Sequence, residues 1–255
     1  MTAPRRHGRV EQYLHEHLER GPVHFTLIDP DKSPGAKAAK IARAAVDLGS
    51  DVILLGGSTG ISREVMAATA TAVKAEVEVP VVIFPEGVTS LTPKADAVLF
   101  MSLLNSRNLD LVIRTHAHAA PVVRKMGLEA IPLGYLVVAP GMRVGEVGQV
   151  DVIDREDVDA AAGYALAAEL LGMHFVYLEA GSGAPAPVPA PMVRAVRSVL
   201  SVPLVVGGGI RTGGEARALL DAGAQLLVTG TITEEEGTGD GFRAILEEVR
   251  RDRVR

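Results

Sequence analysis

A glutamate closes the apolar run in the stretch HFVYLEAGSGAPAPVP (174–189), and a glycine-rich loop follows it directly. Glycine-rich loops after strands usually hold phosphate, because bare backbone N–H groups can crowd round an anion. A carboxylate in the same place would repel that anion, so Glu179 calls for a different chemistry from its neighbours. Two more glycine loops lie late in the chain, in VVGGGIR (205–211) and VTGT (228–231). Their spacing is not that of a dinucleotide fingerprint. Gly208 and Gly209 allow close backbone approach, and Gly230 with Thr231 offers N–H and hydroxyl donors at the start of a helical segment. If these loops hold a phosphate, Glu179 stands a small molecule's width away, able to bond hydroxyl groups of the same ligand and to accept a proton from one. Tyr177 faces the same way as Glu179 by strand alternation. Ser182 and Gly183 add donors.

A second charged cluster is LIDPDK (27–32). Asp29 and Asp31 flank Pro30, and Asp29 is the residue at the end of the apolar run. One carboxylate with the hydroxyl of Ser58 makes a poor all-protein metal cage, but Mg²⁺ takes one or two protein oxygens and completes its shell with water and substrate phosphates. Asp29 serves equally well as a cap for the following helix, a task Ser33 could share. The histidines offer little: His15 and His17, like His116 and His118, stand two apart on helical segments and face different directions, so neither pair forms a natural metal clamp. His24 and His174 open strands, and no histidine is an attractive general base.

These residues need a frame to bring them together. Eight short runs rich in Val, Ile, Leu and Phe recur: HFTLID (24–29), VILLGG (52–57), VVIFP (81–85), AVLFM (97–101), AIPLGYLVV (130–138), HFVYLEA (174–180), LVVGGG (204–209) and LLVTGT (226–231). They are continuously apolar rather than alternating, the pattern of parallel strands covered on both faces. Helical spacing recurs between them near 34–48, 61–76, 108–126, 156–172, 190–200, 213–222 and 240–253, and VEQYLHEHLERG supplies an extra helix in front. Eight β/α units in about 250 residues predict a single (β/α)8 TIM barrel. It would span 1–255, with 1–22 as an N-terminal extension and helix that caps the barrel bottom. A doubly wound open sheet is the runner-up. The segment EGVTSLTPKAD (86–96) is too short and too broken by proline for a normal third outer helix, which predicts either a loop with one helical turn or a gap where a long apolar ligand lies along the barrel. Chemistry in this fold sits at the carboxyl ends of the strands, with phosphate sites after strands 7 and 8.

Composition removes several functions. The net charge of -5 and aromatic content of 4%, with no tryptophan, give neither an electrostatic footprint nor a stacking platform for nucleic acid. Zero cysteines exclude disulfides, thiolate metal sites and a cysteine nucleophile. The charged N-terminal stretch lacks the apolar core of a signal peptide, and no apolar run reaches the about 18 residues of a membrane span. A soluble cytoplasmic protein is the expectation.

LIDPDK, LLGGST, FMSLLNSRN, GYLVVAPG, YLEAGSGA, VVGGGIR and VTGT, in this order over nearly the whole chain, closely resemble the geranylgeranylglyceryl phosphate synthase family of prenyltransferases, which make the first ether bond of archaeal-type lipids. The resemblance implies a TIM barrel whose third helix is replaced, Mg²⁺ as cofactor, a polyprenyl (geranylgeranyl) diphosphate donor and sn-glycerol 1-phosphate as acceptor. It implies that Gly208, Gly209, Gly230 and Thr231 hold the acceptor phosphate, that Tyr177, Leu178, Glu179, Ala180, Gly181, Ser182 and Gly183 bind the glycerol part, and that Asp29 and Ser58 ligate Mg²⁺. Glu179, beside Tyr177, is then the catalytic base. One branch of the family carries a lysine two residues before the metal aspartate; here that residue is Leu27, and Lys32 is a candidate replacement for the diphosphate's positive partner. The family forms dimers and larger rings, so a homo-oligomer is expected, with peripheral membrane contact through the prenyl substrate. A sibling enzyme with another prenyl chain or another three-carbon phosphate matches the same motifs; a barrel-type phosphosugar isomerase or a non-catalytic phosphate-binding protein fits the glycine loops alone.

Overall fold

The structure, a computed structural model, describes residues 7–57, 60–235 and 237–253. In chain order its elements are α1 (Arg9–Leu18), β1 (Val23–Ile28), α2 (Ala36–Leu48), β2 (Val52–Gly56), α3 (Arg63–Lys74), β3 (Val81–Phe84), β4 (Ala97–Leu103), α4 (Thr115–Met126), β5 (Glu129–Val137), α5 (Met142–Val147), α6 (Val158–Leu170), β6 (Phe175–Glu179), α7 (Ala190–Val199), β7 (Leu204–Gly207), α8 (Gly213–Asp221), β8 (Leu226–Thr229), α9 (Thr231–Glu235) and α10 (Asp240–Arg251). The strands close in sequence order into a barrel, β1 pairing β8 in parallel, so the TIM barrel holds and the open sheet does not.

Why the strands read as unbroken apolar runs is visible in the packing. Every residue of β2, β6, β7 and β8 is buried, because each strand has one face in the barrel and one under the helices. Phe25, Leu54, Leu133, Phe175 and Val205 fill the inside. Ile53, Val176, Leu178 and Val206 point outward into the layer shared with helix residues such as Met66, Val193 and Phe242. Local signals fix where helices start and stop: Thr212 and Glu215 form a reciprocal capping box at the head of α8, and α4 ends on Gly127 at φ 65°, a left-handed position suited to glycine.

Two irregular features meet their expectations. Between β3 and β4 the described residues contain no α-helix, only a single 3₁₀ turn over Val88–Ser90. At the other end of the barrel, α1 does cap the bottom: Val10 and Leu14 are 1% and 2% exposed and join the inner core. Glu129, at the start of β5, accepts hydrogen bonds from the backbone N–H groups of Val10 and Glu11 at 2.8 and 2.9 Å, a carboxylate on a helix N-terminus. None of the described helices is long and apolar enough to cross a membrane.

Candidate active site

Glu179 is the last residue of β6 and turns into the mouth of the barrel, where it is 6% exposed. Its Oε1 accepts from the Gly181 N–H at 2.6 Å and its Oε2 from the Tyr135 hydroxyl at 3.1 Å. The Tyr177 hydroxyl also favours the charged form of this carboxylate. Burial pushes the Glu179 carboxyl above the usual carboxylate range, and these three donors restrain the rise because they favour the charged form. Both tyrosine hydroxyls go the other way: burial first, then the charge of Glu179, raises them well above their ordinary value, so they stay protonated and remain donors. The result is a desolvated carboxylate held in one orientation, an arrangement suited to a general base.

The loops after β7 and β8 stand beside it. A small pocket at the carboxyl end of the barrel is lined by Tyr177, Glu179, Ser182, Gly208, Gly209, Gly230 and Thr231, with Leu27 at its wall. Two of its glycines, Gly208 and Gly209, are required for its shape. Gly208 lies at φ 82°, and a Cβ there would run into Glu179 Oε1 and lie 2.7 Å from the Gly181 nitrogen. Gly209 lies at φ 72°, and its Cβ would come within 2.6 Å of the Ala186 backbone. Thr231 links the β6 and β8 loops, its hydroxyl meeting Ser182 Oγ at 2.9 Å and accepting from the Gly183 N–H at 3.2 Å. The remaining residues of the segment contribute differently. Leu178 and Ala180 turn into the outer apolar layer, which leaves only their backbone for a ligand, and the Gly181 N–H is engaged by Glu179.

Asp29 sits just beyond β1 and is 4% exposed. Its Oδ1 accepts from the Asp31 N–H at 2.9 Å in a local turn, while Oδ2 lies 3.8 Å from Lys32 Nζ; neither Asp29 nor Ser33 caps α2, whose N-cap is Gly35 with no side-chain cap. Lys32 is held more closely by Glu234, at 2.7 Å, and that hydrogen bond is the main reason its ammonium is shifted upward. Ser58 lies outside the described residues. Glu86 accepts from the N–H groups of Gly60 and Ile61 at 2.6 and 2.7 Å, which orders the start of the segment leading into α3.

Two residues join the site that strand-end reading does not pick out. Tyr135 is the sixth residue of the run AIPLGYLVV, and only the register of β5 against β6, Tyr135 beside Tyr177 and Val137 beside Glu179, brings its hydroxyl to the carboxylate. Arg211 closes the GGGIR stretch and lines the pocket, its guanidinium donating to the Ala184 carbonyl at 2.6 Å. It is a fixed positive charge beside loops suited to an anion.

Comparison with known proteins decides the family. The sequence profile of the PcrB family matches residues 14–249. The chain belongs to the PcrB family. Its relatives include a geranylgeranylglyceryl phosphate synthase of Pyrococcus horikoshii, 48% identical over 95% of this chain and 96% of that one, and another of Methanothermobacter marburgensis, 48% identical over 94% and 98%. The family resemblance read from the motifs is thereby borne out. Among solved structures, the (S)-3-O-geranylgeranylglyceryl phosphate synthase of Thermoplasma acidophilum in complex with sn-glycerol-1-phosphate superposes with a TM-score of 0.91 at 43% identity, covering 96% of this chain and 100% of that one. Within the PcrB family, then, this chain keeps the barrel and brings the glycine loops and Glu179 to one pocket.

Proposed function

We propose that the protein is a Mg²⁺-dependent prenyltransferase that joins a polyprenyl group, geranylgeranyl in the first instance, to the primary hydroxyl of sn-glycerol 1-phosphate and releases diphosphate. The observation that carries this reading is the single pocket in which a buried carboxylate faces two glycine loops. The phosphate end of the acceptor sits among the backbone N–H groups around Gly208, Gly209 and Gly230 and the Thr231 hydroxyl, with Arg211 adding positive charge. Its glycerol end then reaches Glu179, Tyr177 and Ser182.

The reaction balances as a displacement at an allylic carbon. The bond from that carbon to the diphosphate oxygen breaks with its electron pair leaving on diphosphate. The acceptor's hydroxyl oxygen forms the new C–O bond, and its proton passes to Glu179. Tyr135 and the Gly181 N–H hold the carboxylate on the acceptor side, so positioning supplies much of the rate. The residues at the end of β1 fit a hard cation, because a buried carboxylate there offers the oxygen ligand that Mg²⁺ takes alongside water and phosphate. Asp29 would hold Mg²⁺, with Ser58, and the ion would neutralise the charge of the departing diphosphate. Lys32, 3.8 Å from Asp29 Oδ2, adds positive charge at the same place.

Calorimetric titration tests the acceptor half directly: sn-glycerol 1-phosphate binds and glycerol does not, whereas equal affinity for both would remove the phosphate role of the glycine loops. Two mutations test the chemistry. Asp29→Asn is expected to raise the Mg²⁺ concentration for half-maximal turnover by about tenfold or more; an unchanged Mg²⁺ dependence would move the metal elsewhere. Tyr135→Phe removes a donor that favours the charged form of Glu179, so the carboxyl rises further. Activity requires the carboxylate and appears as pH rises through that value, so the acidic limb of kcat/KM moves to higher pH in the variant. An acidic limb unmoved by Tyr135→Phe would show that another group sets it.

A further inference from the structure

At the foot of the barrel, opposite the pocket, imidazoles gather round a buried carboxylate. Glu11 and His15 stand four residues apart on one face of α1, and His7, two residues ahead of the helix, folds back beside them. One donor atom from each lies within 4.8 Å of the other two. A third imidazole comes from the barrel itself: His174 precedes β6, and its Nδ1 lies 2.7 Å from Glu11 Oε1. His7 Nδ1 is also 2.7 Å from that oxygen, and His15 Nε2 is 3.8 Å away.

Glu11 is only 2% exposed. Although nitrogens crowd its Oε1, neither that oxygen nor His174 Nδ1 has a partner in hydrogen-bond geometry. Buried polar groups are normally hydrogen-bonded, and buried charges are paired or coordinate a metal. The neighbouring acid cannot explain the arrangement, since Glu129 is engaged by the N–H groups of Val10 and Glu11. Those bonds fix the first turn of α1 and leave the Glu11 side chain facing the histidines.

We propose that His7, Glu11 and His15 bind a divalent transition-metal ion of the zinc class, with His174 orienting the Glu11 carboxylate from the barrel side. Two imidazoles with one carboxylate suit Zn²⁺ and its borderline neighbours, whereas Mg²⁺ prefers oxygen throughout. Three protein ligands leave a fourth position for water, and His7 and His15 are open enough to solvent to admit an ion. An ion there ties the turn ahead of α1 to the helix. The site is distinct from the pocket: His174 stands at the entry of β6 and Glu179 at its exit.

The test uses full-length protein without a histidine tag, stripped by chelator and titrated with Zn²⁺ under calorimetry, with metal content measured after dialysis. The expected result is about one Zn²⁺ per chain and a higher thermal midpoint with the metal, as ligand linkage requires. Asp29→Asn keeps that uptake. The double variant His7→Ala/His15→Ala and the shape-conserving Glu11→Gln bind about 100-fold more weakly or worse, while the prenyl transfer of the double variant remains that of the parent. Zinc uptake by the parent no greater than by the double variant would overturn the proposal, as would uptake that disappears with Asp29→Asn.

Discussion

Glu179→Gln is expected to lower turnover by about 10²- to 10⁴-fold, the usual contribution of a positioned general base. The amide keeps the shape of the side chain and can still accept from the Gly181 N–H and bond the Tyr135 hydroxyl, so the loop after β6 has no reason to move. What it loses is the ability to take a proton. The loss should therefore fall on kcat, with acceptor affinity changed little, and thermal stability should hold or rise, because a carboxylate whose charged form is disfavoured by burial gives way to a neutral group. Rapid-quench measurement of a single turnover separates the chemical step from product release. Near-normal single-turnover rates in this variant would remove Glu179 from the base role and leave it an orienting residue.

Gly208→Ala should be almost as damaging, for a different reason. The residue lies at φ 82°, where an L side chain costs on the order of 1–3 kcal/mol, and the added methyl would collide with Glu179 Oε1 and crowd the Gly181 nitrogen. Relief requires the carboxylate or the β7 loop to shift, and a misplacement of about 1 Å can cost on the order of 10²-fold in rate. Both kcat and acceptor KM should worsen, accompanied by a lower melting temperature. Gly183→Ala is the control: it too lies at positive φ, 78°, but its added Cβ meets nothing within 4 Å, so backbone strain acts there without the collision. Equal activity losses in the two variants would mean that strain alone, and not the approach to Glu179, explains the effect.

The barrel was legible because burying a strand on both faces leaves a continuous apolar run, and each of the eight runs emerges as a strand of the closed sheet. The missing helix between β3 and β4 was equally legible, since Pro93 and the β-branched residues around it cannot fill a normal outer turn. Short helices such as α5, six residues long, and α9, five, carry too little periodicity to be read. Within the site, strand ends and glycines announce Glu179, Gly208, Gly209, Gly230 and Thr231, but Tyr135 depends on cross-strand register, which one strand does not encode. The same limit applies at the foot of the barrel. A spacing of two between His15 and His17 points nowhere, while Glu11 and His15, four apart, share one face of α1 and the turn ahead of it brings in His7. Only the fold adds His174.

His24 illustrates the opposite outcome, a histidine whose quiet role was readable. It is fully buried against Phe242, bonds Ser50 Oγ at 3.1 Å and Thr229 Oγ1 at 3.0 Å, and burial, with Arg253 second, pushes its imidazole down to about 3. It stays neutral across the physiological range and serves packing.

The most direct measurement of the central claim is transfer itself: purified protein with radiolabelled sn-glycerol 1-phosphate, Mg²⁺ and prenyl diphosphates of several lengths, with label followed into organic solvent. The account predicts extraction of label that requires both Mg²⁺ and a prenyl diphosphate, is strongest with one chain length, and collapses in Glu179→Gln. No extractable label with any donor, from protein that binds sn-glycerol 1-phosphate tightly, would contradict it.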